Sequence, residues 1–467
     1  MTDQQTTIAN ALEPAIIVVF GVTGDLAGRY LLPSLYHLFK DNLLHEHTEI
    51  VGLTRQDLTT DELFSKVELC INEKDNICDP LALKQMHEKT RLLKFDPSVG
   101  EDYSQLKQAL DAIENEHGLC MNRLYYLSIP PKLFPEAVQH LGQAKLNESC
   151  QHGQAKSRLL VEKPFGSDLA SAQQLIEVTN QVFSEEQVFR IDHYLAKETV
   201  QNILSFRSFN PIFQSIWNNQ HIQAIEIVSR EKIGIEGRKV FYEGIGALRD
   251  FVQSHLLQLL AVTTMSLPAE LSSDSIHIHK QSLLQSILPA DPSNAIRGQY
   301  EGYRQEAEAP ESTTETFASI SLVIDTSEWQ GVPITVTTGK ALGEKRTEIR
   351  VIFTNRGSTS DDVNQLVFRI QPDEGIHLQL RVKKPGYEHE LQEAALDFSY
   401  QNTFGDSQHP NAYERVLVDA VKGDRTLFAT SEEVLASWQI LEPIIQAWKH
   451  NADGLQTYPF GSNGPAS

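Results

Sequence analysis

Between residues 15 and 165 the chain repeats one pattern: a short apolar, largely β-branched run, then a longer stretch with apolar positions three and four apart. Ala15-Ile16-Ile17-Val18-Val19-Phe20 ends at a glycine, as a strand buried on both faces does, and residues 31–43 then carry apolar side chains at helical spacing. Glu49-Ile50-Val51-Gly52-Leu53, Leu124-Tyr125-Tyr126-Leu127-Ser128-Ile129 and Arg158-Leu159-Leu160-Val161 read as further strands. This alternation predicts a doubly wound parallel sheet. After about residue 200 the period becomes two. Ala318, Ile320, Leu322 and Ile324 alternate with other residues, as do Ile334 and Val336; Ile349, Val351 and Phe353; Leu366, Phe368 and Ile370; and Ile376, Leu378, Leu380 and Val382. These segments predict an antiparallel sheet with one face on a core. Helical patterns at residues 248–262 and 431–448 would cover it.

The expected fold class is therefore α/β plus α+β, with a doubly wound domain over residues 1–192 and a larger α+β domain over residues 193–467. The acidic stretch 305–315, which contains Pro310, reads as an exposed loop.

Composition narrows the function classes. At 467 residues, with 40% hydrophobic and 22% charged residues, the chain has enough apolar material for a large core, which excludes disordered and collagen-like classes. Its 62 acidic against 40 basic residues give a net charge of −22. Such a surface repels nucleic-acid phosphates and anionic lipid, so a phosphorylated ligand would need a local cationic pocket. No apolar run approaches the ~20 residues that span a bilayer. Met1-Thr2-Asp3-Gln4-Gln5 has no basic region leading into an apolar core. The expectation is a cytoplasmic protein with neither membrane nor nucleic-acid partners. Cys70, Cys78, Cys120 and Cys150 are irregularly spaced with no C-x-x-C pair, which predicts reduced thiols and no structural zinc.

The first strand leads into Gly21-Val22-Thr23-Gly24-Asp25-Leu26-Ala27-Gly28. Gly21 and Gly24 allow a tight turn and close backbone approach to a pyrophosphate, with helix amides at Asp25 and Leu26 as donors. A G-x-x-G turn can also simply join strand to helix. After the second strand comes Thr54-Arg55-Gln56, where dinucleotide folds usually place an acidic residue for the ribose hydroxyls. Arg55, with Thr23 beside it, suits a 2′-phosphate and hence NADP, with NAD as a second candidate; the alternative is a solvated surface arginine. Asp96, after Leu92-Leu93-Lys94-Phe95, would end a third strand near the adenosine.

The densest cluster of chemically capable side chains is Arg190-Ile191-Asp192-His193-Tyr194-Leu195-Ala196-Lys197-Glu198. On a helix, His193 and Lys197 would share a face and make a phosphate pocket, with the Tyr194 hydroxyl as a third donor. Asp192 could orient an imidazole. An exposed charged helix start would look the same.

These segments resemble the glucose-6-phosphate dehydrogenase family, whose motifs are G-A-S-G-D-L-A, E-K-P-F-G and R-I-D-H-Y-L-G-K-E. Glu162-Lys163-Pro164-Phe165-Gly166 matches the second, and further matches continue through residues 246–258, Thr338-Gly339-Lys340, residues 369–375 and Tyr413-Glu414-Arg415. The resemblance spans roughly residues 15–465. It implies a Rossmann-like first domain and oxidation of β-D-glucose 6-phosphate at C1 with hydride transfer to NADP or NAD. It also implies a homodimer or homotetramer formed through the large sheet.

By motif match, His255 becomes the base and Asp192 its orienting carboxylate. Read without the family, His255 in its leucine-rich helix is better taken as a buried structural histidine. His193, Tyr194 and Lys197 would hold the phosphate, Lys340 and Lys345 would add positive charge, and Glu231 and Asp250 would bind sugar hydroxyls. Lys163 would reach both C1 and the nicotinamide.

Departures from the family are Gly28 and Tyr30 at two lysine positions, Ser254 for asparagine, Phe241-Tyr242-Glu243 for Y-Y-D, and Asn463 for tryptophan. The lost lysines are the best argument for a different class of protein, a non-catalytic NADP-binding relative.

Overall fold

The computed structural model describes residues 12–75, 78–148, 155–354, 363–405, 410–449 and 451–466. Strand β1 (Ala15–Phe20) is buried at every position, as its continuous apolar run requires of a central strand. With β2 (Glu49–Thr54), β3 (Thr90–Lys94), β4 (Asn122–Leu127), β5 (Ser157–Val161) and β6 (Val188–Ile191) it forms a sheet in the order 6-5-4-1-2-3. Every neighbouring pair among these six is parallel, and the short strand Phe428–Ala429 adds an antiparallel edge beside β6. The order reverses at β1, so a ligand crevice opens at the carboxyl ends of β1 and β4. This is the doubly wound sheet that the pattern predicts.

The unit built on that sheet runs to Gly166, resumes at Ala170–Ala196 and regains Pro410–Ser431. The chain thus crosses between units several times, where the pattern placed one crossing at residue 192. The late return has a physical basis. Ser34 Oγ donates to Asn411 Oδ1 at 3.1 Å, and His37 Nδ1 lies 2.6 Å from Glu414 Oε1. Arg158 Nη1 donates to the carbonyls of Ala420 and Val421 at 2.9 and 2.7 Å, which caps the returning helix Ala412–Lys422 with a cation.

The second unit holds a nine-stranded sheet. Its strands are β7 (Ile222–Arg230), β8 (Ala295–Tyr300), β9 (Phe317–Leu322), β10 (Ile334–Gly339), β11 (Arg346–Phe353), β12 (Gln365–Gln371), β13 (Gly375–Lys383) and β14 (Leu391–Ser399), with Leu455–Tyr458 as the last. They lie in the order 14-13-12-11-7-10-9-8, with Leu455–Tyr458 beside β8. All five alternating segments are strands here. Two pairs, β7 with β10 and β8 with Leu455–Tyr458, are parallel within this otherwise antiparallel sheet. Burial also fades along β13, and Val382, Leu391 and Leu396 are exposed, so the far end of the sheet does not lie on a core.

Two further expectations hold only in part. Stretch 305–315 ends in buried Ser312, Thr314 and Glu315. The cause is the Glu243 carboxylate, which accepts hydroxyls from Tyr303 at 2.7 Å, Ser312 at 2.8 Å and Thr314 at 3.0 Å. Cys70 and Cys78 are free, but Cys120 is disulfide-bonded, correcting the expectation of reduced thiols; Cys150 lies outside the described residues. Spacing along the chain does not show which thiols the fold brings together. Among the described residues no helix is long and apolar enough to cross a membrane.

The helical pattern at 248–262 is realised as a π-helical segment, Leu248–Leu256, continuing into the α-helix Leu257–Thr264. The far end of that helix is capped by buried donors. Arg207 donates to Val262 O at 2.9 Å and Met265 O at 2.6 Å, and the indoles of Trp217 and Trp329 donate to Thr263 O and Thr264 O, each at 2.8 Å. Its middle is held by charge: Gln258 and Lys280 both donate to the fully buried Glu433 carboxylate, at 3.2 and 2.9 Å, and His277 lies 2.9 Å from it. Lys280→Met leaves that carboxylate without its cation and should cost about 3 kcal/mol of stability, read by urea denaturation.

Candidate active site

The first unit contributes a set of side chains at the carboxyl ends of its strands. Gly21 has φ +73°, and a Cβ there would sit 2.5 Å from Ser128 O. A Cβ on Gly24 would lie 3.0 Å from Gly21 O. Both positions therefore need glycine for the turn itself. Gly21 and Val22 donate to Leu53 O at 3.1 and 3.2 Å, which ties the turn to the end of β2. Asp25 and Leu26 open the helix that follows, so the donors of its first turn lie at this end of the sheet. Asp25 itself forms an exposed ion pair with Arg29 at 2.6 Å.

Thr23 Oγ1 lies 3.4 Å from Thr54 Oγ1, which in turn accepts the Gln56 amide at 3.1 Å. Asp96 is held below the usual carboxylate range chiefly by the Ser98 amide and hydroxyl, with a smaller contribution from the Arg55 charge. Thr23, Arg55, Gln56 and Asp96 are thus gathered where β1, β2 and β3 end. These residues fit a phosphorylated dinucleotide: a glycine turn closed to side chains, helix amides, and an exposed cation in place of an acidic residue. At the departures from the family, a Cβ on Gly28 would meet nothing within 4 Å, while the Tyr30 ring stacks on Tyr413 with centroids 5.3 Å apart.

Beyond β5, Glu162 is buried and accepts the Tyr126 hydroxyl at 2.5 Å. Burial pushes its carboxyl up to about 7; Tyr126 and Lys163 oppose that rise and Asp192 adds to it. Lys163 and Asp192 therefore share the Glu162 neighbourhood. Asp192 follows β6, is buried, and accepts the Tyr194 amide at 2.9 Å on Oδ1. The rings of His193 and Tyr194 are 5.1 Å apart, and Tyr194 is buried. Residues 193–197 run as turns and the helix starts only at Glu198, so the expected helical face of His193 and Lys197 does not form. The physical reason is Asp192, whose side chain and carbonyl bond the amides of Tyr194 and Leu195 in a turn.

In the second unit, Lys197 donates to Gln371 Oε1 at 2.5 Å. Burial brings its ammonium down to about 8, with Glu374 opposing and Lys345 assisting, so Lys345 belongs to the same group. Glu231 and Lys340 directly follow the parallel strands β7 and β10, and the Lys340 ammonium donates to Glu231. That ammonium also sits 5.2 Å from the Tyr242 ring centroid. The Tyr242 phenol is raised by burial first and then by Asp250, Glu315, Tyr458 and Glu231, which puts Asp250 in this cluster. His255 is buried with its ring edge-on to Phe251 at 5.1 Å.

Asp250 and His255 both lie on the π-helical segment, five residues apart. Backbone bonded i to i+5 brings such positions round toward one side, whereas an α-helix would turn them about 140° apart. Neither periodicity nor motif spacing assigns a role to Glu162, Tyr126, Tyr242, Gln371 or Glu315. Several stand inside matched motifs, and that was the available signal.

A turn suited to a 2′-phosphorylated dinucleotide, and a second unit that gathers cations and carboxylates, suit the class of sugar-phosphate dehydrogenases. Comparison with known proteins agrees. Residues 18–202 match the glucose-6-phosphate dehydrogenase NAD binding domain and residues 204–467 match the glucose-6-phosphate dehydrogenase C-terminal domain. Glucose-6-phosphate 1-dehydrogenase of Chlamydia muridarum is 39% identical, covering 97% of this chain and 94% of that protein. A solved glucose-6-phosphate dehydrogenase in complex with glucose 6-phosphate has a TM-score of 0.91 at 33% identity, covering 97% of this chain and 96% of that one. The enzyme from Mycobacterium avium has a TM-score of 0.86, also at 33% identity, covering 97% and 95%. This chain belongs to the glucose-6-phosphate dehydrogenase family.

The Glu162 carboxyl gives a pH test. Its value in the folded protein, about 7, lies above the ordinary 4.5, so the folded state binds the extra proton between those limits. Its contribution to stability is complete below about pH 4.5 and is lost as pH rises through 7. Glu162→Gln should remove a pH-dependent loss on the order of 3 kcal/mol across that window, measured by denaturation at several pH values.

Proposed function

We infer that this protein oxidises β-D-glucose 6-phosphate at C1 to 6-phospho-D-glucono-1,5-lactone with NADP as acceptor, the first step of the oxidative pentose phosphate pathway. The observation that carries this reading is likeness over 97% of the chain, at a TM-score of 0.91, to an enzyme solved with glucose 6-phosphate. Intact Asp192, His193, Lys197 and His255 count against a non-catalytic relative.

The Gly21–Leu26 turn, Thr23, Arg55, Gln56 and Asp96 would hold NADP, which when bound would accept the hydride that leaves C1. Arg55 can donate two hydrogen bonds to the 2′-phosphate, where an aspartate would repel it. His255 takes the proton from the C1 hydroxyl, since a neutral imidazole has the right basicity near pH 7. Asp192 holds the imidazole in the correct tautomer and stabilises the imidazolium. Lys163 serves both C1 and the nicotinamide end of the cofactor.

His193, Tyr194 and Lys197 hold the phosphate dianion, and Lys345 adds charge. The dianion favours the protonated form of Lys197 that burial alone disfavours. Glu231 and Asp250 accept ring hydroxyls, and Lys340 fixes Glu231 through their ion pair. Tyr30 brings no charge to a position where the family has lysine.

The protein acts as a homodimer or homotetramer, a reading supported by the exposed Val382, Leu391 and Leu396 at the far end of the large sheet. Light scattering should report at least twice the chain mass. Both substrates are phosphate esters that do not cross a bilayer, which favours the cytoplasm.

His255→Asn should lower kcat by roughly three orders of magnitude or more while glucose 6-phosphate still binds, measured at 340 nm and by calorimetry. Arg55→Ala should reduce kcat/KM with NADP by about tenfold or more and leave NAD within twofold, checked by a cofactor-swap assay.

A further inference from the structure

We propose that Glu315 is a positioning residue for the proton transfer: its carboxylate clamps the start of the π-helical segment and thereby fixes where Asp250 and His255 point. This rests on reading His255 as the base. Glu315 Oε1 accepts the Leu248 amide at 3.0 Å, and its backbone carbonyl accepts the Ala247 amide at 2.9 Å. These are two successive donors at a helix start, where amides have no partner within the helix. Gly246, with φ +72°, precedes them, and a Cβ there would collide with the Glu315 carboxyl. The positive φ favours glycine there, and any side chain would have to displace the Glu315 carboxylate.

The clamp is itself anchored. The Thr316 amide donates to Gly298 O at 2.7 Å, and Thr316 Oγ1 accepts the Tyr300 amide at 3.0 Å, which binds the residue after Glu315 to β8. The Lys340 amide donates to Thr316 O at 2.9 Å. One dipeptide, Glu315-Thr316, thus holds both the start of the Asp250–His255 segment and the backbone of the lysine that fixes Glu231. Burial raises the Glu315 carboxyl, while the Leu248 amide and the Arg249 and Arg297 charges oppose that rise.

A π-helical register is held less well by its own backbone bonds than an α-helical one, so outside contacts decide whether it persists. Released at its start, the segment can relax toward the α register, which turns Asp250 and His255 apart.

The test is steady-state kinetics with glucose 6-phosphate and NADP on Glu315→Ala, Glu315→Gln and Gly246→Ala, with melting temperature measured alongside. Glu315→Ala should lower kcat by about tenfold or more, with the NADP KM within about threefold, because misplacing a base costs turnover, while a rise in the glucose 6-phosphate KM reports the displaced Asp250. Glu315→Gln keeps an acceptor oxygen and should restore most of the turnover. Gly246→Ala presses on the same carboxyl, so its loss should not multiply with that of Glu315→Ala. Should Glu315→Ala not fold, Gly246→Ala is judged by the same kcat and KM criteria.

The proposal is overturned if Glu315→Ala keeps kcat within twofold, if alanine and glutamine lose turnover equally, or if only KM and melting temperature change. His255→Asn separates the two claims. Normal turnover in that variant removes the base itself, whereas a dead His255→Asn beside a normal Glu315→Ala removes only the clamp.

Discussion

A carboxylate withdrawn from water must find donors, and in this acidic chain that requirement shapes both units. Glu433 is wholly buried and is met by Lys280, Gln258 and His277. Glu162 is met by the Tyr126 hydroxyl, Glu315 by the Leu248 amide, and Glu243 by three hydroxyls. Each of these acids has its donors on another segment of the chain, so satisfying it fixes the path of the backbone. The side chains proposed to act on the substrate inherit their places from these matches. Lys163 follows Glu162 in the chain, and Asp250 and His255 follow the amides that Glu315 accepts.

Within each unit the sheet supplies the frame and the polar matches supply the aim. Parallel β7 and β10 end together, which lets Glu231 and Lys340 form a pair at the same level. Likewise β1, β2 and β3 end where Thr23, Gln56 and Asp96 are brought together. Placing functional groups at strand ends, on loops steadied by a rigid sheet, is the general solution for α/β proteins.

Much of this was legible in the sequence because hydrophobic periodicity reports directly on what a strand faces. The continuous run Ala15–Phe20 could only be a buried central strand, and five alternating segments could only be half-buried ones. What the pattern missed has particular causes. β7 breaks its alternation at a register shift near Ile222, and β14 presents mostly exposed residues, so neither shows a clean period of two. Stretch 305–315 is acidic and looks solvated until Glu243 is placed beside it. The turn at residues 193–197 looks helical until Asp192 claims its amides. Long-range polar partners decide these places, and they leave no local trace. For His255, only the motif resemblance suggests a base, because a buried histidine and a general base look alike on a leucine-rich helix.

The returning segment Pro410–Ser431 has a consequence for how the molecule is made. A ribosome reading from the amino end finishes the six parallel strands long before it supplies the helix that Arg158 caps and that meets His37. Until then the nascent nucleotide-binding body waits with one flank open, and the intervening residues must be spooled out and folded first. Genetic excision of the leading two hundred residues would therefore deliver an incomplete body rather than a free-standing module.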